Sequence, residues 1–425
     1  MRFLLDAEQR AFADSLNAML TAADTPSVVR SWSRGEHARG LALWRRVAEA
    51  GVFTLAVPEA YEGLGLRPVE LAVAFVELGR HAVPGPLVET VAAAALLTAL
   101  DDSAPAKRLL PALASGESTA TLATGRYALD ADIADVRLTA RAAGVAGGSV
   151  RRAVAETAVA PVAAYRSACG EGTLTPGGST AASGGSASAS EASGWASEAG
   201  RSAAESRLTR LPDGTSPAAE PRLTPLPGDA PPAAELRLGP PPGHAPSAAE
   251  PHASLDPARR LFPAPTGGEL LAVGPHVTVA VAQALIWARL ATAAQALGVG
   301  LALLDRTVAY VKQRTQFGVP IGSFQAVKHQ LADAKIALEF ARPLLYGAAL
   351  TMTESDVAAA KVTACEAAYR TARTALQLHG AIGYTAEYDL SLWLTKARAL
   401  RGAWGDPGEC RAAVLDGISG GGRRS

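Results

Sequence analysis

At 425 residues the chain is long enough for two or three domains, each able to bury its own core. Lys plus Arg and Asp plus Glu each number 40, so the formal net charge is zero and no basic field exists to draw in nucleic acid or anionic lipid. Cys169, Cys365 and Cys410 stand far apart with no CxxC spacing, which argues against a thiolate zinc site or redox pair and fits a reducing cytoplasm.

The first six residues turn acidic at Asp6 before an apolar stretch reaches leader length, so export is not expected. Residues 6–114 read as helical, with 41–50 and 69–78 placing apolar side chains three and four apart. Val57-Pro58-Glu59 opens a loop that runs to Gly65, and Pro84-Gly85-Pro86 breaks the chain before an alanine-rich run. From Ser118 the segments become short and β-branched, and 120–124 and 135–139 read as strands.

Past about residue 166 the sequence dissolves into Gly, Ser, Ala and Pro, which cannot bury enough apolar surface to offset ordering entropy. Within it, Arg207-Leu208-Thr209, Arg222-Leu223-Thr224 and Arg237-Leu238-Gly239 open units with a period of 15 residues (222 − 207 = 237 − 222). Solenoid repeats run about 20 to 50 residues and carry an apolar face, so a disordered tandem expansion over about 166–252 is the expectation. Loop closure costs only about 0.6 kcal/mol per doubling of length, so flanking strands can pair across it.

Order returns at 254–262. From Gly274 the pattern is helical, with Leu290, Leu297, Leu301, Leu304, Val308 and Val311 along one face. The apolar stretch 277–304 is interrupted by Gln283, Arg289 and Gln295, so it reads as a buried bundle helix and not as the roughly 20 apolar residues of a membrane span. Further helices over 324–352, 356–379 and 390–401 complete an antiparallel four-helix bundle. The predicted organisation is a helical domain over 1–116, a reduced β domain over 117–265 containing the insert, and the bundle domain over 266–425.

Two segments carry the chemistry. Arg314-Thr315-Gln316-Phe317-Gly318 with Gln325 offers a fixed cation, amides and an aromatic ring, and Gln377-Leu378-His379-Gly380-Ala381 breaks sharply after a long helix. No GxGxxG follows a strand, so a Rossmann-type dinucleotide site has no support. The two segments closely resemble the paired flavin-binding segments of acyl-CoA dehydrogenases, and the Val-Pro-Glu loop and Leu78-Gly79-Arg80 resemble that family's helical N-terminal domain. The implied fold is mostly α with a small β domain: N-terminal helical domain, middle β-barrel-like domain and C-terminal four-helix bundle.

The resemblance implies FAD as cofactor, held across a subunit boundary by Arg314, Gln316, Phe317, Gln325, Gln377, Gly380 and Ala381. It also implies an acyl-CoA substrate near Arg289, a protein electron acceptor and an oligomer. An arginine fork suits pyrophosphate oxygens, and an aromatic ring suits adenine or ribose. The family's reaction needs a carboxylate to take the α-proton and donors on the thioester carbonyl. Aligned on the family pattern, Trp404 stands where many members carry that glutamate, and a second family position falls at Ala288. Asp406 is the nearest candidate carboxylate, though Gly405-Asp406-Pro407 also reads as a helix cap.

The functional expectation is therefore α,β-dehydrogenation of an acyl-CoA to the 2,3-enoyl-CoA, carried out as the base-lacking subunit of a mixed assembly with a related dehydrogenase subunit. The alternative is a non-catalytic acyl-CoA- or partner-binding protein of the same fold. His329 and His379 have no carboxylate or cysteine at metal spacing, so no metal is assigned.

Overall fold

The structure, a computed structural model, describes residues 5–142, 234–240 and 250–421. Six helices come first: α1 (Ala7–Thr21), α2 (Thr25–Ser33), α3 (Ala38–Glu49), α4 (Pro68–Arg80), α5 (Leu87–Thr98) and α6 (Ala104–Ala114). The start of α1 is fixed locally, because the Asp6 carboxylate accepts from the Gln9 N–H while the Gln9 side chain accepts from the Asp6 N–H. Prolines in the first turns of α2, α4 and α6 occupy positions where a missing N–H costs nothing.

The β portion contains β1 (Ala120–Ala123), β2 (Tyr127–Leu129), β3 (Val136–Ala142), β4 (Ala234–Leu238), β5 (Leu261–Pro263) and β6 (Glu269–Gly274). A four-stranded sheet runs β1-β3-β4-β6, with β1 and β3 parallel and the other neighbours antiparallel, while β2 and β5 form a separate antiparallel ladder.

Strand β4 corrects the expectation for 166–252. Inside that stretch, Ala234 and Leu236 are buried while Glu235 and Arg237 are half-exposed, and the strand pairs on both sides. A two-residue alternation over five residues suffices for a strand with two partners. The opening Arg237 and Leu238 of the third repeat thus fold, whereas the first two openings, Cys169 and most of the expected insert lie outside the described residues.

The last third is helical: α7 (Pro275–Gln313), α8 (Gln325–Thr351), α9 (Glu354–His379), α10 (Leu390–Gly402) and α11 (Pro407–Gly421). The expected four bundle helices are present, and α11 adds a fifth packed on α9. Helix α7 is long and apolar enough to cross a membrane by composition, but 78% of its most apolar window is buried within the protein. It packs against α4, α5, α8, α9 and α10.

Contact between α4 and α7 depends on two glycines. A Cβ at Gly298 would overlap the Val76 carbonyl, and one at Gly79 would overlap the Gln295 carbonyl. Backbone meets backbone at both points, so no side chain can yield. Gly298→Ala should therefore lower unfolding stability by about 1–3 kcal/mol, the usual range for overpacking, in urea or thermal melts. An unchanged melting curve would show that the helices can separate freely.

Candidate active site

One end of the bundle gathers the first group of predicted residues. At the end of α7, β7 (Thr315–Gln316) and β8 (Val319–Pro320) form a short hairpin. Its turn residues, Phe317 and Gly318, have φ of 53° and 79°. Both central residues lie in the left-handed region, the backbone of a type I′ turn that favours Asn-Gly. A phenylalanine there is strained, and the residue is 91% exposed. The Arg314 side chain is exposed too, and its guanidinium donates to no other described residue.

The second segment reaches the same end. Tyr310 stacks on His379 with centroids 4.1 Å apart, and its hydroxyl donates to the His379 carbonyl at 3.4 Å. That stack joins the Arg314 hairpin to the Gly380 turn, where Gly380 has φ of 63°. Burial pushes the His379 imidazole below the ordinary histidine range, against the opposing pull of the Ala375 carbonyl, which its Nδ1 bonds at 2.8 Å. Gln316, Gln325, Gln377, Gly380 and Ala381 are all exposed. A free cation, an exposed ring and several amides on one surface fit a nucleotide's phosphates and base.

A different region holds Trp404. Its φ is 58°, rare for a bulky residue and costly by about 1–2 kcal/mol. Two buried cations hold the turn. Arg289 Nε donates to the Trp404 carbonyl at 3.1 Å, and Lys361 Nζ donates to the Gly405 carbonyl at 2.6 Å and the Arg401 carbonyl at 3.4 Å. Arg289 is 2% exposed and pairs onward with Glu354 at 3.2 Å.

The structure thus places Arg289 behind the turn as its anchor. Asp406 takes the helix-cap role that Gly405-Asp406-Pro407 suggested. Its carboxylate accepts from the Gly408 and Glu409 N–H groups, at 2.6 and 2.9 Å, and so caps α11. Ala288 is fully buried and has no proton-accepting group.

The Trp404 side chain meets Glu89 of α5, its indole N–H donating to Oε1 at 3.3 Å. Arg259, from the segment before β5, approaches the same oxygen at 3.5 Å. Helical domain, β domain and bundle therefore meet at one carboxylate. Glu89 is 3% exposed, and its second oxygen has no partner among the described residues. These groups and Thr124, Gly125, Arg126 and Tyr127 line a pocket of only about 90 Å³.

Neighbouring ties lock the junction. Lys396 of α10 pairs with Asp256 at 3.4 Å, both nearly fully buried, and Trp393 donates to the Arg80 carbonyl at 2.8 Å. Trp32 donates to Asp130 at 3.2 Å. Sequence reasoning missed Glu89, Thr124, Arg259, Lys361 and Lys396. Glu89 had a legible mark, since it is the one charge in the apolar-rich run 87–100. Arg259 had none, because its partner is 170 residues away. Among the described residues no group of three or more His, Cys, Asp or Glu could hold a metal.

A family model for the N-terminal domain of acyl-CoA dehydrogenases matches residues 6–117, and one for their C-terminal domain matches 277–408. The acyl-CoA dehydrogenase IpdE2 of Mycobacterium tuberculosis is 27% identical over 92% of this chain and 91% of its own length. Its namesake in Mycolicibacterium smegmatis is 39% identical over 29% of this chain, spanning 39% of that relative. Among solved structures, a variant of the Tcur3481-Tcur3483 steroid ACAD aligns with TM-score 0.69 at 22% identity, over 98% of this chain and 99% of that one. That likeness speaks to fold alone.

Asp130 supplies a test of the junction's electrostatics. Complete burial pushes its carboxyl well above the ordinary range, against the opposing pull of the Trp32 N–H. Since the folded value lies above the unfolded one, this group's contribution is most favourable in acid and is lost as pH rises through the folded value. Asp130→Asn keeps an acceptor for Trp32. It should raise the melting temperature at pH 7–8 and change it little near pH 4; equal effects at both would contradict the assignment.

Proposed function

Because the chain belongs to the acyl-CoA dehydrogenase family, whose cofactor is FAD, we propose that it serves α,β-dehydrogenation of an acyl-CoA thioester as the base-lacking subunit of a hetero-oligomer. The observation that carries this reading is the Trp404 indole, seated on Glu89 at the position where the family pattern has its glutamate. An indole N–H donates and cannot take the α-proton. The Trp404 peptide N–H donates to no described residue, but with the indole in place the pocket beside it is too small to bring an acyl thioester to that donor.

The chain's contribution lies at the other end of the bundle. Arg314 would fork onto pyrophosphate oxygens, Phe317 would pack on the nucleotide, and Gln316, Gln325 and the Gln377–Ala381 turn would add hydrogen bonds, all toward a neighbouring subunit's cofactor. Bound FAD supplies the acceptor for the hydride leaving the β-carbon, and an acceptor protein reoxidises it. The solved relative whose name joins Tcur3481 and Tcur3483 supports a paired assembly in this fold family. Cytoplasmic placement belongs to the same reading.

A second reading has one observation in its favour. Ligand pockets usually run about 300–1,000 Å³, so the 90 Å³ beside Trp404 is too small for an acyl chain. A non-catalytic protein that binds a partner through the same fold fits that size.

Co-purification separates them. Expressed with a glutamate-bearing relative, the complex should carry flavin absorbance that bleaches on adding acyl-CoA. Arg314→Gln in this chain should then reduce retained FAD at least tenfold without dissociating the subunits. A stable complex with full flavin content after that substitution would refute the shared-cofactor role, and a complex that never bleaches would leave the binding-only reading.

A further inference from the structure

One residue touches the roots of both segments assigned to the nucleotide. Tyr310 lies one turn before Arg314 at the end of α7, and its carbonyl accepts from the Arg314 N–H at 2.9 Å. Its hydroxyl donates to the carbonyl of His379, the last residue of α9 before Gly380. Its ring lies nearly flat on the His379 imidazole, with an interplanar angle of 21°. The hairpin and the glycine turn are thus tied through the same tyrosine.

His379 is held as a fixed plate for that ring. A carbonyl oxygen only accepts, so Nδ1 carries the proton in the bond to Ala375, and that bond locks the imidazole plane. Nε2 is buried and has no partner among the described residues. The aromatic contacts of the imidazole are with Tyr310 and, 5.6 Å away and tilted, with Tyr388. The turn closes tightly over it, because a Cβ at Gly383 would come within 3.2 Å of both His379 Cβ and Leu376 Cδ1. Since the residue is 4% exposed, it supports the turn from beneath and does not itself reach a ligand on the surface.

We propose that Tyr310 is a positioning residue for the nucleotide: its stack on His379 holds the Arg314 guanidinium and the Gly380 turn at the separation that one ligand bridges. The proposal rests on the shared-cofactor reading. Arg314, Gln316 and Gly380 are exposed, so their order comes from the layer below. Two binding segments already joined at their roots lose less freedom when a ligand spans them, and affinity rises accordingly.

Fluorescence titration with FAD tests it, on the flavin-stripped complex of this chain with a glutamate-bearing relative. Tyr310→Leu should weaken FAD binding about tenfold, whereas Tyr310→Phe, which keeps the ring, should stay within about threefold of wild type. His379→Leu removes the stack from the other side and should match Tyr310→Leu, which keeps the test open if either variant fails to fold. The deciding measurement is the cycle with Arg314→Gln. Because Tyr310 acts through Arg314, Tyr310→Leu should cost at most about twofold more in that background, while a side chain that only stabilised the fold would cost the same in both. Equal losses in the two backgrounds, or full affinity in Tyr310→Leu while Arg314→Gln loses it, would overturn the positioning role alone. Full affinity in Arg314→Gln would overturn the shared-cofactor reading and this proposal with it.

Discussion

Two buried cations must find partners, and the turn at 401–405 is where they find them. A guanidinium or ammonium removed from water is costly unless fully bonded, by several kcal/mol even after relaxation. Arg289 and Lys361, each at most 2% exposed, take the carbonyls of Trp404, Gly405 and Arg401. The arrangement also places positive charge at the C-terminus of α10, where the helix dipole favours it. Because both cations are anchored on long bundle helices, the turn cannot relax, and the unfavourable φ of Trp404 persists. That fixed turn aims the indole at Glu89, and Glu89 in turn holds Arg259. The domain junction and the small pocket both follow from the same constraint.

Much of the architecture was legible because it rests on local pattern. The glycine and proline breaks at 63–65 and 84–86, the three-and-four spacing along α7 and the alternation in β1 and β3 each specify their element within a few residues. The hairpin at 314–320 was less so. Phe317-Gly318 is a poor match for a type I′ turn, and only the packing of Tyr310 on His379 shows that hairpin and glycine turn share one end of the bundle. Strand β4 was hidden for the opposite reason. Its five residues sit inside a repeat whose Gly, Pro and Ser content reads as disorder, and only strands β3 and β6 on either side give the alternation of Ala234 and Leu236 a core to face.

The site residues divide along the same line. Arg314, Gln316 and Phe317 were visible as a contiguous motif, whereas the Glu89, Arg259 and Trp404 junction unites residues 145 to 315 positions apart (404 − 259; 404 − 89), and nothing in one sequence reports such a meeting. Arg289 shows the limit of reading a residue by its motif. Its burial and its bond to the Trp404 carbonyl make it a support for the turn, a role its motif did not display. Asp406, the nearest carboxylate in sequence, is used up by two backbone N–H groups of α11. What remains is a chain with an exposed cation, ring and amides at one end of the bundle and a small pocket closed by Trp404 elsewhere.

The central claim is that the Trp404 side chain closes this chain's own acyl pocket, and acyl-CoA binding by the isolated protein tests it most directly. Glycine is the natural replacement, since it accepts a φ of 58° without strain. The account predicts no saturable heat when the wild-type chain is titrated with a short acyl-CoA, and stoichiometric binding by Trp404→Gly. Stoichiometric binding by the wild-type chain would contradict it.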